Sequence, residues 1–165
     1  VEYNVHSYID TEELKPLRFY KKRFLRGITT EETINFDYKN KRMKWEYSKP
    51  FITKELPIPE NIQDLLSSLY FFRRKDIQMH KSYPLNIVYN GDFWPVNVTL
   101  DETVDIEVSR SRYFHCAISG ISSNLNQKIT GFNNFKAYFS LDKKRLPVLF
   151  RMRTRIGSLS GVLQE

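Results

Sequence analysis

Residues 56–73 read Leu-Pro-Ile-Pro-Glu-Asn-Ile-Gln-Asp-Leu-Leu-Ser-Ser-Leu-Tyr-Phe-Phe-Arg and contain the one segment of this chain with a clear helical pattern. Its apolar residues recur at steps of three and four, the spacing of one helical face. They are Ile62, Leu65, Leu66, Leu69 and Phe72. Two prolines prevent an earlier start, Asn61 is suited to be the N-cap, and Asp64 follows three residues later, as in a capping box. We expect a helix around residues 61–73 whose apolar face is covered by a sheet.

The rest of the chain is rich in strand patterns. Residues 43–47 alternate between apolar and polar side chains after a turn at 39–41, and the segment before that turn alternates in the same way, so the pair is predicted to be a hairpin. Asn90 and Gly91 predict a type I′ hairpin turn, and a last hairpin is predicted over 135–152. The order strands, helix, strands favours an α+β fold, mainly β, with a curved antiparallel sheet that forms a half-barrel around the one docked helix.

Other segments carry weaker patterns. Residues 49–60 contain prolines and are expected to form a crossing that leads into the helix. Residues 96–100 and 104–108 are predicted to be successive strands, and the Ser-, Asn- and Gly-rich residues 119–134 predict a mobile loop. The length of 165 residues suits a single β-rich domain over residues 1–165.

The composition limits the classes of possible function but does not identify one. Aromatic residues make up 15% of the chain, which favours strands. A net charge of +7 attracts polyanions in general. Cys116 is the only cysteine, which excludes an intramolecular disulfide and a cysteine-rich zinc motif. We see no signal-peptide pattern and no apolar run of about eighteen residues, so we expect no transmembrane segment.

Several segments together resemble a known family. They are His6-Ser7-Tyr8-Ile9-Asp10, Leu17-Arg18-Phe19, residues 63–70, the hairpin over 83–98 and the ending over 139–163. In these segments the chain is similar to the bacterial exported proteins grouped as domain of unknown function family 3108. The resemblance implies a periplasmic or cell-envelope protein whose curved antiparallel sheet surrounds a helix, similar to the lipoprotein-carrier half-barrels. Family members usually have further strands ahead of His6, and by this comparison we expect those strands to be lacking here.

The sequence contains no recognisable catalytic constellation. His6, His80 and His115 are far apart and in no metal-ligand spacing, and the position of Asp64 is explained by capping. Neither a Gly-rich phosphate loop nor a Ser-centred elbow occurs. We therefore expect a protein that is not an enzyme and that uses no metal and no cofactor.

Two groups of residues are candidates for binding. An apolar pocket between the helix and the concave face of the sheet would be lined by aliphatic and aromatic side chains. Its predicted lining residues are Trp45, Ile62, Leu66, Leu69, Tyr70, Phe72 and Phe139. Arg151, Arg153 and Arg155 share one face of a strand at two-residue steps and predict a basic stripe. Such a stripe would bind anions or pair with carboxylates across the sheet.

Three functions stay open at this point. The first is a non-enzymatic cell-envelope protein for binding or scaffolding, with a lipid or other apolar ligand between helix and sheet. The second is an interaction subunit of a larger envelope assembly, joined by strand addition at an open sheet edge near residues 1–9. The third is polyanion binding through the basic stripe, with nucleic acid as the less favoured partner.

Overall fold

The computed structural model describes residues 2–74, 78–109, 112–122, 135–154 and 157–162. The elements in chain order are β1 (Glu2–Ile9), β2 (Pro16–Leu25), β3 (Ile28–Asp37), β4 (Arg42–Ser48), β5 (Phe51–Pro57), β6 (Ile62–Gln63), α1 (Leu65–Arg74), β7 (Ser82–Tyr89), β8 (Asp92–Ser109), β9 (Arg112–Ser122), β10 (Phe135–Ser140), β11 (Pro147–Thr154) and β12 (Gly157–Val162).

The predicted fold class is confirmed. The described residues form a mainly β protein with antiparallel sheets and one short helix. The strands lie in two sheets. One sheet has the order β1-β2-β3-β4-β5, and the other has the order β12-β11-β10-β9-β8-β7-β6. The two-residue strand β6 runs parallel to β7.

The chain divides into two compact units. The first comprises Val1–Phe71 with Asn86–Trp94, and the second comprises Phe72–Leu85 with Pro95–Glu165. Each unit has a cluster of buried apolar residues. In the first unit these are Phe19, Ile34, Phe36, Met43, Trp45, Ile62 and Val88. In the second unit they are Tyr138, Val148 and Leu149. The prediction of a single domain stays a prediction.

The five-stranded sheet places its core residues on one face. Phe19 pairs with Ile34, and Ile34 pairs with Trp45, so the three side chains lie next to one another across neighbouring strands. We call this face the inner face. Because side chains alternate along a strand, residues two positions away also lie on it.

The inner face continues along β2 and β3 to the turn that joins them. Arg26 and Gly27 form this two-residue turn with φ values of 50° and 79°, as the type I′ geometry requires. Leu25 and Ile28 pair directly before and after the turn. The two strands therefore present inner-face side chains along their full length.

The helix α1 begins later than predicted. Asp64 is its N-cap, because Asp64 Oδ1 accepts the backbone N–H groups of the second and third helical residues at 2.8 and 2.9 Å. The hydroxyl of Ser67 accepts the backbone N–H of Asp64 at 2.8 Å, which completes a capping box. The prediction of Asn61 as N-cap was wrong. Asn61 has a φ of 52°, and residues 62–63 pair with β7 instead of forming a helical turn.

The crossing predicted over 49–60 contains a strand. Residues 51–57 form β5 at one edge of the five-stranded sheet. Proline is tolerated at an edge strand, where an N–H that faces away from the sheet is not needed. Pro57, the last residue of β5, is therefore compatible with a strand at this edge.

The second sheet differs from the prediction in the extent of its strands. Residues 96–100 and 104–108 belong to one continuous strand, β8, with an irregular register between Leu100 and Glu102. The predicted loop over 119–134 begins inside β9, and residues 123–134 lie outside the described residues. The last predicted hairpin is confirmed as β10 and β11, whereas β12 was not predicted.

Candidate functional site

One end of the inner face is filled by the core of the first unit. We call it the filled end, and it consists of Phe19, Ile34, Phe36, Met43 and Trp45, covered by Ile62 and Val88. Trp45 and Ile62 were predicted to line a ligand pocket. Both are buried in this packed core.

The other predicted lining residues are spread over the two units. Leu66 and Leu69 are half-buried, and Tyr70 is exposed. Phe72 and Phe139 do come together in the second unit, with ring centroids 6.0 Å apart. Within the units, the structure thus places Trp45 with Ile62 and Phe72 with Phe139.

A small cavity adjoins those two phenylalanines. It has a volume of about 80 Å³. Its lining residues are Phe72, Met79, Leu100, Phe139, Ser140, Leu141 and Arg145. Ligand pockets usually measure about 300–1,000 Å³, so this cavity is too small for a lipid chain.

A buried ion pair marks the boundary of the filled end. Lys21 and Glu32 pair across β2 and β3 on the inner face, and Lys21 Nζ is ion-paired with Glu32 Oε2. The other oxygen of Glu32 accepts the indole N–H of Trp45 at 2.8 Å. Lys21 also donates to Asn90 Oδ1 at 3.0 Å. Each partner of the ion pair therefore makes one further hydrogen bond, Glu32 with Trp45 and Lys21 with Asn90.

The turn between β7 and β8 completes the cover of Trp45. Asn90 and Gly91 have φ values of 51° and 73°, which confirms the predicted turn. A Cβ atom at Gly91 would lie 2.6 Å from a ring carbon of Trp45. Only glycine fits this close approach of backbone to indole.

Beyond the ion pair and level with it, the inner face carries apolar side chains that are not buried. We call this the open end. Tyr3, Leu25 and Ile28 lie beyond the pair, with Arg23 next to them, and Ile52 lies level with the pair, next to Tyr47. Tyr3 is 59% exposed, Ile28 is 58% exposed and Ile52 is 39% exposed. These side chains therefore form an apolar surface on the same face that holds the core.

Arg23 is the charged residue of the open end. It lies between Tyr3 on β1 and Thr30 on β3. Its Nε atom is buried and has no hydrogen-bond partner, and among the described residues its guanidinium takes part in no ion pair. Sequence reasoning missed this site, although the two-residue alternation places Arg23 on the same face as Phe19 and Lys21.

Asp64 is a buried carboxyl group with a structural role. Its Oδ2 accepts the hydroxyl of Ser7 at 2.6 Å, while Oδ1 caps the helix. Burial raises the pKa of Asp64, and the hydrogen bonds from Ser7 and the helix N-terminus lower the pKa by a smaller amount. Both oxygens are therefore engaged, one as the N-cap of α1 and the other with Ser7.

A polar hollow of about 540 Å³ lies along β3 to β5. Its lining residues are Asn35, Phe36, Asp37, Asn40, Arg42, Met43, Lys44 and Glu55. Its charged groups are engaged with one another or with neighbours. Arg42 lies 3.3 Å from Glu55 and Lys44 lies 2.8 Å from Glu46, while Asp37 accepts the side chain of Asn40 at 2.7 Å. Each charged group that lines this hollow therefore has an ion-pair or hydrogen-bond partner in the protein.

The predicted basic stripe is described only in part. Arg151 is exposed, and its guanidinium carbon lies 5.9 Å from the ring centre of Tyr138. The side chain of Arg153 and the whole of Arg155 lie outside what the structure describes. Across the described part of the chain, no cluster of three or more His, Cys, Asp or Glu residues could hold a metal ion. No helix among these residues is long and apolar enough to cross a membrane.

Comparison with known proteins yields one match. The family model described as "Protein of unknown function (DUF3108)" matches residues 1–164. No curated protein and no solved structure matches the chain.

Proposed function

The chain belongs to the DUF3108 family of proteins of unknown function, and we propose that it is a non-enzymatic cell-envelope protein that binds an apolar ligand at the open end. The observation that carries this proposal is the exposure of Tyr3, Ile28 and Ile52 on the face that elsewhere forms the core. Burying such side chains contributes about 25 cal/mol per Å² of apolar surface. An apolar ligand supplies the cover that the described chain does not.

The open end suits this role better than the region originally predicted. Trp45 and Ile62 are occupied by packing within the first unit, and the cavity beside Phe72 is too small. The open end needs no rearrangement of the core, because its apolar side chains are already accessible. Its position on the inner face also gives a ligand a neighbouring apolar surface to pack against.

Binding of the uncharged fluorescent probe N-phenylnaphthylamine tests the proposal. We expect the probe to bind the wild type, and we expect Ile28→Asp and Ile52→Asp each to weaken binding about fivefold or more, since a charge in the apolar surface has to be desolvated. Phe51→Asp is the matched control, because Phe51 is 74% exposed but lies on the opposite face of β5. Absence of probe binding, or equal weakening by Phe51→Asp, would contradict the proposal.

The cell-envelope location rests on the resemblance to exported bacterial proteins. Fractionation of the organism that encodes the chain is the direct measurement. We expect the native protein in the periplasmic or envelope-associated fraction. Recovery with cytosolic markers would contradict this part of the proposal.

A second candidate function is attachment to a partner protein through β1. This strand lies at one edge of the five-stranded sheet, and an edge strand presents backbone N–H and C=O groups to a further strand. Tyr3 and Tyr8 are each 59% exposed on opposite faces of β1. They would flank an added strand on both sides.

A pair of proline variants tests strand addition. Successive N–H groups of a strand point to opposite edges, so one of Asn4→Pro and Val5→Pro removes an N–H that faces outward, and the other disrupts pairing with β2. We expect the outward variant to keep its stability and to lose native complexes isolated from envelope extracts. If both variants fold and both still form the native complexes, this mode of attachment is excluded.

A further inference from the structure

We propose that the open end binds the carboxylate of a fatty acid through Arg23 while the acyl chain lies on the surrounding apolar side chains. This inference rests on the proposed function and adds the chemical class of the ligand. It follows from three features of one residue: its position, its missing partners and its charge.

Arg23 lies on the inner face between the Lys21–Glu32 ion pair and the apolar side chains of Leu25 and Ile28. Tyr3 is its neighbour on β1, Leu25 follows two residues later on the same strand, and Ile28 pairs with Leu25. A ligand that covers Tyr3 and Ile28 therefore also covers the guanidinium. A wholly apolar ligand would desolvate this charge without compensation, which is costly.

The guanidinium has capacity that the protein does not use. The neighbouring Lys21 is paired with Glu32, so the one inner-face carboxylate nearby is already taken. The buried Nε of Arg23 has no acceptor, and a buried donor without a partner costs free energy. Arg23 Nε is shielded from solvent in this structure, so the side chain has to turn for its N–H to reach a carboxylate oxygen. The planar fork of arginine then matches a carboxylate in a bidentate contact.

The apolar side chains give the acyl chain a direction. From β2 to Ile52 on β5 the inner face crosses three strand spacings, or about 14 Å. The net charge of +7 adds a general attraction for an anionic amphiphile. A single extended acyl chain with an acidic head fits both the width of the surface and its charge.

The test compares dodecanoate with its uncharged counterpart dodecanol by isothermal titration calorimetry. We expect dodecanoate to bind the wild type about tenfold more tightly than dodecanol does, because a hydrogen-bonded charge pair is added. We expect Arg23→Gln to remove this preference, chiefly by weakening the binding of dodecanoate. Lys22→Gln is the matched control, since it removes the same charge one residue away on the opposite face.

The outcomes separate this inference from the function on which it rests. Equal binding of acid and alcohol by the wild type, or an undiminished preference in folded Arg23→Gln, overturns the fatty-acid inference and leaves apolar binding standing. Loss of the preference in Lys22→Gln as well overturns it too, because the charge effect would then be non-specific. If neither compound binds, or if Ile28→Asp binds dodecanol as the wild type does, the proposed function itself fails. Should Arg23→Gln not fold, the acid-to-alcohol ratio of the wild type still decides.

Discussion

The two ends of the inner face are built from the same strands and differ in what lies over them. At the filled end, Ile34 is fully buried under residues that return from β6 and β7. At the open end, Ile28 lies on the same strand and the same face, yet 58% of its surface is exposed. Alternation of side chains therefore decides which face a residue joins. Whether that face becomes core or binding surface depends on a second segment of the chain.

The largest expected effect on the free energy of unfolding comes from the Lys21–Glu32 ion pair at the boundary between the two ends. Lys21→Met should lower the free energy of unfolding by about 4 kcal/mol, because it leaves the buried carboxylate of Glu32 without its counter-charge. The double variant Lys21→Met/Glu32→Gln should recover most of this loss, since the amide oxygen still accepts the indole N–H of Trp45. Urea denaturation measures both. A loss below about 1 kcal/mol in Lys21→Met would mean that the pair is solvated and marks no boundary.

Truncation of one isoleucine at each end measures the contrast directly. Ile34→Ala should cost about 3 kcal/mol, because it removes buried methyl groups and leaves a cavity. Ile28→Ala should change the free energy of unfolding by less than about 0.5 kcal/mol, as at other exposed positions. Chemical denaturation of the two variants gives the comparison. Equal losses would show that the open end is covered in solution.

Two glycines with similar backbone conformation report whether space is filled above the sheet. Gly91→Ala should lower the free energy of unfolding by about 2 kcal/mol, because the added Cβ would clash with the ring of Trp45 and the positive φ is strained for alanine. Gly27→Ala should cost only about 1 kcal/mol, since nothing lies within 4 Å of its Cβ position. Thermal unfolding ranks the two. A reversed order would contradict the packing of the turn on Trp45.

The smallest expected effect is a pH dependence from Asp64. Its pKa is raised by burial above the usual 3.8, so the folded state holds a proton more tightly than the unfolded state does. Ionised Asp64 therefore costs stability above its folded pKa, and this cost disappears as the pH falls through the folded pKa toward 3.8. We expect wild type to gain stability relative to Asp64→Asn as the pH falls through that window. A gap between the two proteins that is independent of pH would contradict the shift.

The sequence predicted single strands and turns better than it predicted which distant segments pair with one another. The alternation of residues 43–47 and the Asn90-Gly91 turn identified their elements because each signal is local. The start of the helix was predicted wrongly since Asn61 and Asp64 are both good caps, and only the pairing of residues 62–63 with β7 selects the second. That pairing joins segments more than twenty residues apart, and local patterns do not contain it.

The candidate site shows the same difference between what local patterns predict and what depends on long-range pairing. Trp45 and Ile62 were expected around a ligand because apolar side chains on a concave face suggest a pocket, and the sequence does not say what fills it. Arg23 stood in a run of basic residues that is typical of a solvent-exposed turn. Its unusual surroundings follow from the register of β1, β2 and β3, which is fixed by the folded sheet as a whole.

The indole of Trp45 is an intrinsic fluorescence probe of the boundary between the two ends. Its N–H is held by Glu32, its ring is covered by the glycine turn, and Lys54 Nζ lies 5.2 Å from the ring centre. Because the ion pair and the turn both contact this indole, its fluorescence emission should change when either of them is displaced. With Trp94 replaced by phenylalanine, a simple spectrum can follow that region while a ligand is titrated onto the neighbouring surface.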